Sequence, residues 1–149
     1  MRLLRPGDVV GMEALVDQRY HHTAIALQDA DVCRIPREVV TRLDQTSPNI
    51  HQSLMQRWQC SVDQADHFIV SLSNGSAEAR MARLLILLGC TGNEPETMPS
   101  REDMGALLGI TTETASRVMA EFKRRGLVHT ARGSEVVCDH AGLTELAKG

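Results

Sequence analysis

A chain of 149 residues, 42% hydrophobic but only 3% aromatic, suits one large domain or two small ones around an aliphatic core. Its formal charge of −3 excludes wholesale coating of nucleic acid or of an anionic membrane. No apolar run approaches the roughly 20 residues that span a bilayer, and "MRLLRPGD" holds no signal-peptide hydrophobic stretch, so a soluble cytoplasmic protein is expected.

Residues 1–40 read as β. "PGD" (6–8) is a turn, "VVGMEALV" (9–16) is an apolar run broken by Gly11, "HTAIAL" (22–27) alternates in part, and "DVCRIP" (31–36) is a short strand stopped by Pro36. These strands are too few for a complete sandwich or barrel, so the chain is expected to begin inside a domain. The adjacent His21 and His22 would point to opposite faces of a strand, which argues against a shared metal or haem site. The four cysteines, Cys33, Cys60, Cys90 and Cys138, lie far apart with no C-x-x-C pair. Neither a zinc framework nor a disulfide scaffold is expected, and a reducing compartment is the default.

From Pro48 to Leu72 a long helix is predicted. Ser47 can cap it, and Pro48 suits the first helical position, where a missing N–H costs nothing. Met55, Trp58, Val62, Ala65, Ile69 and Leu72 are spaced 3, 4, 3, 4 and 3, the a/d seam of a coiled coil. A seam of that length suits an equally long partner helix, although an intramolecular core would use the same stripe. Ile50, Leu54 and Phe68 lie off the seam and are expected to hold the helix against the β segment. "SNGS" (73–76) breaks the helix, Ser76 can cap a second one at 77–88, and "TGNEPETMP" (91–99) reads as a loop.

The last fifty residues change character. Positions 100–132 carry six Lys/Arg against four Asp/Glu, whereas 1–99 carry nine against twelve. One basic face on an acidic body fits a protein that touches nucleic acid on one side only. "SREDMGALLGITTETASRVMAEFKRRGLV" parses as two short helices around a glycine turn. Ser100 with Asp103 approximates a capping box, and Met104, Leu107 and Leu108 give the first helix an inner face. Gly105 is expected to let another helix cross closely. Gly109 ends the helix, Ile110 plugs the turn, and Thr111 caps the next helix, whose Ala115, Val118, Met119 and Phe122 face inward. That leaves Thr112, Glu113, Ser116 and Arg117 on the outer face at the helix start.

This is helix-turn-helix geometry, in which the start of the second helix enters the major groove. Arg can bond guanine bidentately, Glu can accept from cytosine, and Ser or Thr serves bases or phosphates. Ser100, Arg101, Thr111, Thr114, Lys123 with Arg124 and Arg125, and the wing residues Arg132 and Gly133 are candidate phosphate contacts. "LVHTARGSEVVCD" (127–139) supplies that wing as two strands around Arg132-Gly133. A solvated helix end would also explain "KRRG", and a surface i,i+4 pair would explain Glu113 with Arg117.

The stretch resembles the C-terminal domain of the Crp/Fnr transcription regulators, and within them the Fnr-like branch with its E-T-x-S-R motif, here Glu113-Thr114-Ala115-Ser116-Arg117. The resemblance covers the whole chain. "PGDVVGMEAL" (6–15) and "YHHTAIALQDADVCRIP" (20–36) are similar to the second half of the family's sensory β-roll, and 48–72 to its dimerisation helix. "DHAGLTELA" (139–147) is similar to the closing helix. The implied fold is α+β and mostly helical: a partial β-roll of the cyclic-nucleotide-binding kind at 1–46, a dimerisation helix at 47–73, and a winged helix-turn-helix at 74–149.

The implied function is sequence-specific DNA binding as a dimer, with Glu113, Ser116 and Arg117 reading a TTGAT half-site of a TTGAT…ATCAA operator. The implied partners are double-stranded DNA and a second copy of the chain, with RNA polymerase a further candidate and no membrane. A dimerisation or protein-docking module whose winged helix no longer binds DNA is the alternative. No defensible catalytic spacing is present, so an enzyme is not expected.

The departures from the family pattern are specific. Met12 follows Gly11 where cAMP-binding members carry Gly-Glu, and His22-Thr23 replaces Arg-Ser, so cyclic AMP is not the expected effector. Cys33 matches one of four cluster-binding cysteines, but one cysteine cannot hold a cluster, and a buried strand position is expected for it. No cofactor or metal is expected in this chain. Family members are longer at the N-terminus, so a fragment or a naturally short form is expected, with exposed sheet edges in its first forty residues.

Overall fold

The computed structural model describes residues 3–92 and 94–149. Met1 and Arg2 of the expected β segment, Asn93 of the expected loop and the side chain of Pro48 lie outside the described residues. The chain divides into two units, Met1–His67 and Phe68–Gly149.

In the first unit the "PGD" turn forms. The Asp8 N–H donates to the Arg5 carbonyl at 3.0 Å, and the Arg5 N–H donates back to Asp8 Oδ2 at 2.8 Å. The strands expected at 9–16, 22–27 and 31–36 do not form: among the described residues up to Pro36 there is no β-ladder, only the one-turn helix α1 (Ala14–Asp17) and irregular backbone. A strand exists only when a neighbour's N–H and C=O groups pair with its own, and no described segment supplies them. Val16, Tyr20, Ile25, Val32 and Ile35 consequently stand exposed.

Cys33 is exposed too, not a buried strand residue. His21 and His22 lie on no strand; each meets a different carboxylate, Asp17 and Glu13 respectively. Helix α2 (Arg37–Thr46) was not foreseen. It follows Pro36, carries Glu38 in its first turn, and places Val39, Val40 and Leu43 at helical spacing.

Helix α3 (Pro48–Ser73) is continuous over 26 residues, close to the expected range, and runs across the boundary between the units. Within the first unit Arg57 donates to the Gly7 carbonyl at 2.9 Å and Gln64 to Asp8 Oδ1 at 3.1 Å, which fastens the N-terminal turn to the helix. Phe68 is buried and, like Leu72, falls in the second unit.

The second unit is organised by helix α4 (Ala77–Leu87), capped by the Ser76 hydroxyl accepting from the Ala79 N–H at 3.1 Å. Ala79, Met81, Ala82, Leu84 and Leu85 are fully buried, and α4 packs against α5 (Arg101–Leu108), α6 (Thr112–Arg124) and α7 (His140–Ala147). Its two arginines serve helix ends, where carbonyls lack helical partners. Arg80 donates to the Leu108 carbonyl at 2.8 Å. Arg83 donates to the carbonyls of Ser71, Asn74, Ala147 and Gly149, tying the end of α3 to the end of α7.

A small antiparallel sheet, in the order β1-β3-β2, closes the unit. β2 (Val128–Thr130) and β3 (Glu135–Cys138) are the expected wing, with Val128 opposite Cys138. β1 (Glu96–Thr97) arises inside the stretch read as a loop, because two residues are too few to show an alternating pattern. The Asp139 carboxylate caps α7 by accepting from the Ala141 N–H at 3.1 Å.

Cys90, just beyond α4, and Cys138, ending β3, are joined by a disulfide with a Cα separation of 5.7 Å. The cysteine spacing alone predicts no disulfide. The two positions lie 48 apart, and only packing of β3 beside the end of α4 brings them together.

Gly105 is where the two helices of the motif come close. A Cβ there would lie 2.8 Å from the Ile110 carbonyl oxygen and 3.3 Å from the Thr112 backbone nitrogen, so the close approach is to the turn and to the first residue of α6. Gly109 takes a left-handed φ of 62° and ends α5. Because the clash is with backbone, Gly105→Ala is expected to lower unfolding stability by about 1–3 kcal/mol in urea titration. An unchanged midpoint would show that the turn moves aside at no cost.

Candidate nucleic-acid interface

The interface is built by the α5–turn–α6 unit. Ser100 caps α5: its Oγ accepts from the Asp103 N–H at 3.0 Å, and its hydroxyl donates to Asp103 Oδ2 at 2.6 Å. Met104 and Leu108 are buried, and Ile110 is half-buried at the turn. Thr111 caps α6 by accepting from the Thr114 N–H at 3.1 Å, as the order Gly-Ile-Thr suggests. Ala115, Val118, Met119 and Phe122 turn inward, with Phe122 fully buried.

That inward stripe leaves Thr112, Glu113, Ser116 and Arg117 exposed together on the first turns of α6. Glu113 and Arg117 form no ion pair with each other, and among the described residues neither has an intramolecular partner. Arg117 borders a hollow of about 370 Å³ whose wall includes Glu78 and Glu121. Both acids are already engaged: Glu121 pairs with Arg124, and Glu78 with Arg125 at 3.0 Å. The guanidinium of Arg117 is therefore available to a group outside the chain.

The basic run divides in the same way. Arg124 and Arg125, read as phosphate contacts, are tied to their own acids, while Lys123 is exposed and has no partner among the described residues. Hydrogen bonding to Glu121 raises the already high pKa of Arg124, so its charge is permanent but occupied. Arg101, also read as a phosphate contact, opens α5. It is half-buried, donates to Met104 Sδ at 3.0 Å, and is held below its ordinary pKa by desolvation. Thr111 and Thr114 share a hydrogen bond at 3.0 Å between their hydroxyls. Arg132 and Gly133 are exposed at the wing tip, where Gly133 adopts φ 56° and the Glu135 N–H closes the turn onto the Arg132 carbonyl at 2.8 Å.

On α3 the expected seam is partly open. Met55, Trp58, Val62 and Ile69 are 51, 40, 44 and 53% exposed, high values for apolar side chains at helical spacing. Ala65 is half-buried. Leu72 is only 2% exposed within its own chain and so is not open to a partner, which corrects its place in the seam. Periodicity alone cannot tell an intramolecular from an intermolecular d position. No group of three or more His, Cys, Asp or Glu side chains able to hold a metal occurs among the described residues. No helix among them is long and apolar enough to cross a membrane.

Residues 79–146 match the model of a Crp-like helix-turn-helix domain, and residues 1–47 match that of a cyclic nucleotide-binding domain. The transcriptional activator protein FnrA of Stutzerimonas stutzeri is 33% identical over 97% of this chain and 62% of its own length. Electron transport regulator A of Shewanella oneidensis is 30% identical over 95% of this chain and 59% of its own. The transcriptional regulatory protein btr of Bordetella pertussis is 27% identical over 95% and 61%. The chain thus spans about three fifths of the length of these relatives. The structure of FixK2 from Bradyrhizobium japonicum shares the fold, with a TM-score of 0.67 at 21% identity over 75% of this chain and 59% of that one. With both domain models matched in order along the chain, and relatives aligned over nearly all of it, this chain belongs to the Crp/Fnr family of transcription regulators.

Proposed function

We propose that the chain binds double-stranded DNA in a sequence-specific way as a homodimer, through the start of α6, and regulates transcription in the cytoplasm. The observation that carries this reading is the exposed set Thr112, Glu113, Ser116 and Arg117, in which Glu113 and Arg117 have no partner among the described residues. An i,i+4 ion pair would occupy both charges on a solvated helix face, and that pair does not form here. Their separation, with neighbouring acids neutralised by Arg124 and Arg125, supports a role toward an external ligand.

In this reading Arg117 donates to a guanine edge, Glu113 accepts from a cytosine amino group, and Ser116 serves a base or phosphate. Lys123, Arg132, and backbone and hydroxyl groups at Ser100, Thr111, Thr114 and Gly133 hold the sugar–phosphate backbone. Lys123 and Arg132 are the strongest of these, since both are exposed cations without a side-chain partner among the described residues. The Glu113-Thr114-Ala115-Ser116-Arg117 motif, by its resemblance to the Fnr-like branch, supports a TTGAT…ATCAA operator. The open seam Met55, Trp58, Val62 and Ile69, with Ala65 beside it, supports pairing of α3 with the same helix of a second copy. Cyclic AMP is not proposed as effector, because the phosphate-binding arginine is replaced by His22, which is spent on Glu13.

Fluorescence anisotropy of a labelled TTGAT-N4-ATCAA duplex against a scrambled duplex, across a salt series, tests the reading. Tighter binding to the palindrome that falls steeply with salt is expected, since phosphate contacts release counterions. Equal, salt-insensitive binding to both duplexes would point to a docking module instead. Arg117→Ala should weaken operator binding by about 1–3 kcal/mol and blur preference at one base pair. Equal loss on both duplexes would make Arg117 a phosphate contact. Sedimentation of Val62→Glu with Ile69→Glu should give monomers; a double variant that still sediments as a dimer places the interface elsewhere.

A further inference from the structure

The disulfide closes a covalent loop around the whole reading unit. Cys90 lies just after α4 and Cys138 ends β3, so α5, the Gly109 turn, α6 and the wing all fall between the two sulfurs. Both ends are well held without the bond. The Cys90 N–H donates to the Leu85 carbonyl at 3.0 Å, Cys138 pairs with Val128, and the next residue, Asp139, donates to the Leu127 carbonyl at 2.9 Å while capping α7. Cys90 is 1% and Cys138 4% exposed, as suits small apolar thiols as well as a disulfide. The Cα separation of 5.7 Å is within the ordinary disulfide range, so oxidation needs no backbone rearrangement. Reduced and oxidised pairs therefore fit the same fold.

A DNA-binding chain works in a reducing compartment, where disulfides form transiently as catalytic or redox-sensing bonds rather than as permanent braces. We propose that Cys90 and Cys138 are a thiol–disulfide couple that reports oxidation directly to the reading head, without a cofactor. This rests on the DNA-binding reading for its consequence, though not for its chemistry. The oxidant is a low-molecular-weight disulfide. The thiolate of one cysteine attacks it, its S–S bond breaks, and one thiol leaves. The second cysteine then displaces the remaining thiol, so the pair loses two electrons and two protons and the reagent becomes two thiols. Because both cysteines are buried, exchange waits for local opening of the wing or of the segment after α4. Closing the loop restricts the open forms of α5, α6 and the wing, so that less of the reading head has to be ordered on DNA.

The test uses the full chain with Cys33 and Cys60, the two exposed free cysteines, replaced by Ser so that only the buried pair reacts. It is equilibrated over ratios of reduced to oxidised glutathione and followed by intact mass, thermal melting and operator anisotropy at fixed salt. The expected result is loss of two hydrogens without glutathione adducts, a melting midpoint higher by about 10 °C or more, and operator binding tighter by roughly 3- to 10-fold, all reversed by dithiothreitol. Cys90→Ala, or Cys138→Val should a vacated site destabilise the sheet, should abolish all three responses. A pair that stays reduced at every ratio overturns the proposal, as does a crosslink that forms with no change in operator binding. Mass and melting responses in a chain that binds no duplex in either state would keep the couple and overturn the DNA-binding reading instead.

Discussion

At Gly105 the backbone of α5 runs so close to the Ile110 carbonyl that no side chain fits between them. That approach, with the left-handed Gly109, sets the direction in which the chain leaves α5 and re-enters a helix at Thr111. The rest of the reading unit follows from it. Thr111 can cap α6 only because the turn delivers it there. Once α6 starts at that point, its inward stripe from Ala115 to Phe122 meets the core around α4. The opposite stripe, from Thr112 to Arg117, has no place to go but outward. A single steric constraint thereby decides which side chains remain for a ligand.

Electrostatics refine the choice. An unpaired arginine beside two glutamates would ordinarily collapse onto one of them. Here Glu121 and Glu78 are held by Arg124 and Arg125, which leaves Arg117 without a local partner. The cationic end of α6 thus acts partly as a guard for the residue near its start, a role that counting positive charges does not suggest. Lys123 and Arg132 keep their charge for the outside, whereas Arg101 lies half-buried against the Met104 sulfur. Surface ion pairs of this kind contribute little to stability. Their importance is in what they withhold from Arg117.

The N-terminal half follows another rule. Its sequence carries short apolar and partly alternating runs, and residues 1–47 match a cyclic nucleotide-binding domain, yet no ladder forms among the described residues up to Pro36. Strand propensity describes how a side chain fits a pleated surface, and it has no effect until a second strand accepts the hydrogen bonds. Helices carry their partners within themselves, so α2 and α3 form where β segments do not. The apolar face of α3 and the side chains of Val32 and Ile35 stand exposed within the chain.

By itself the sequence determined what local rules can settle. Spacing located α3, α4, α5 and α6 nearly to the residue, side-chain chemistry named their caps at Ser76, Ser100 and Thr111, and the order of glycine turn, capped helix and wing announced the reading head. Each depends on residues within a few positions of one another, where propensity and periodicity act. Tertiary structure decided everything that joins distant positions. It put Leu72 inside its own chain rather than in the seam, set Gly105 against both the turn and the start of α6, occupied Arg124 and Arg125, and added β1 as a third strand. It also joined Cys90 to Cys138 across the entire reading unit. The apolar and partly alternating runs in residues 9–36 were legible but were not enough, because a strand's hydrogen bonds, unlike a helix's, must be answered from elsewhere.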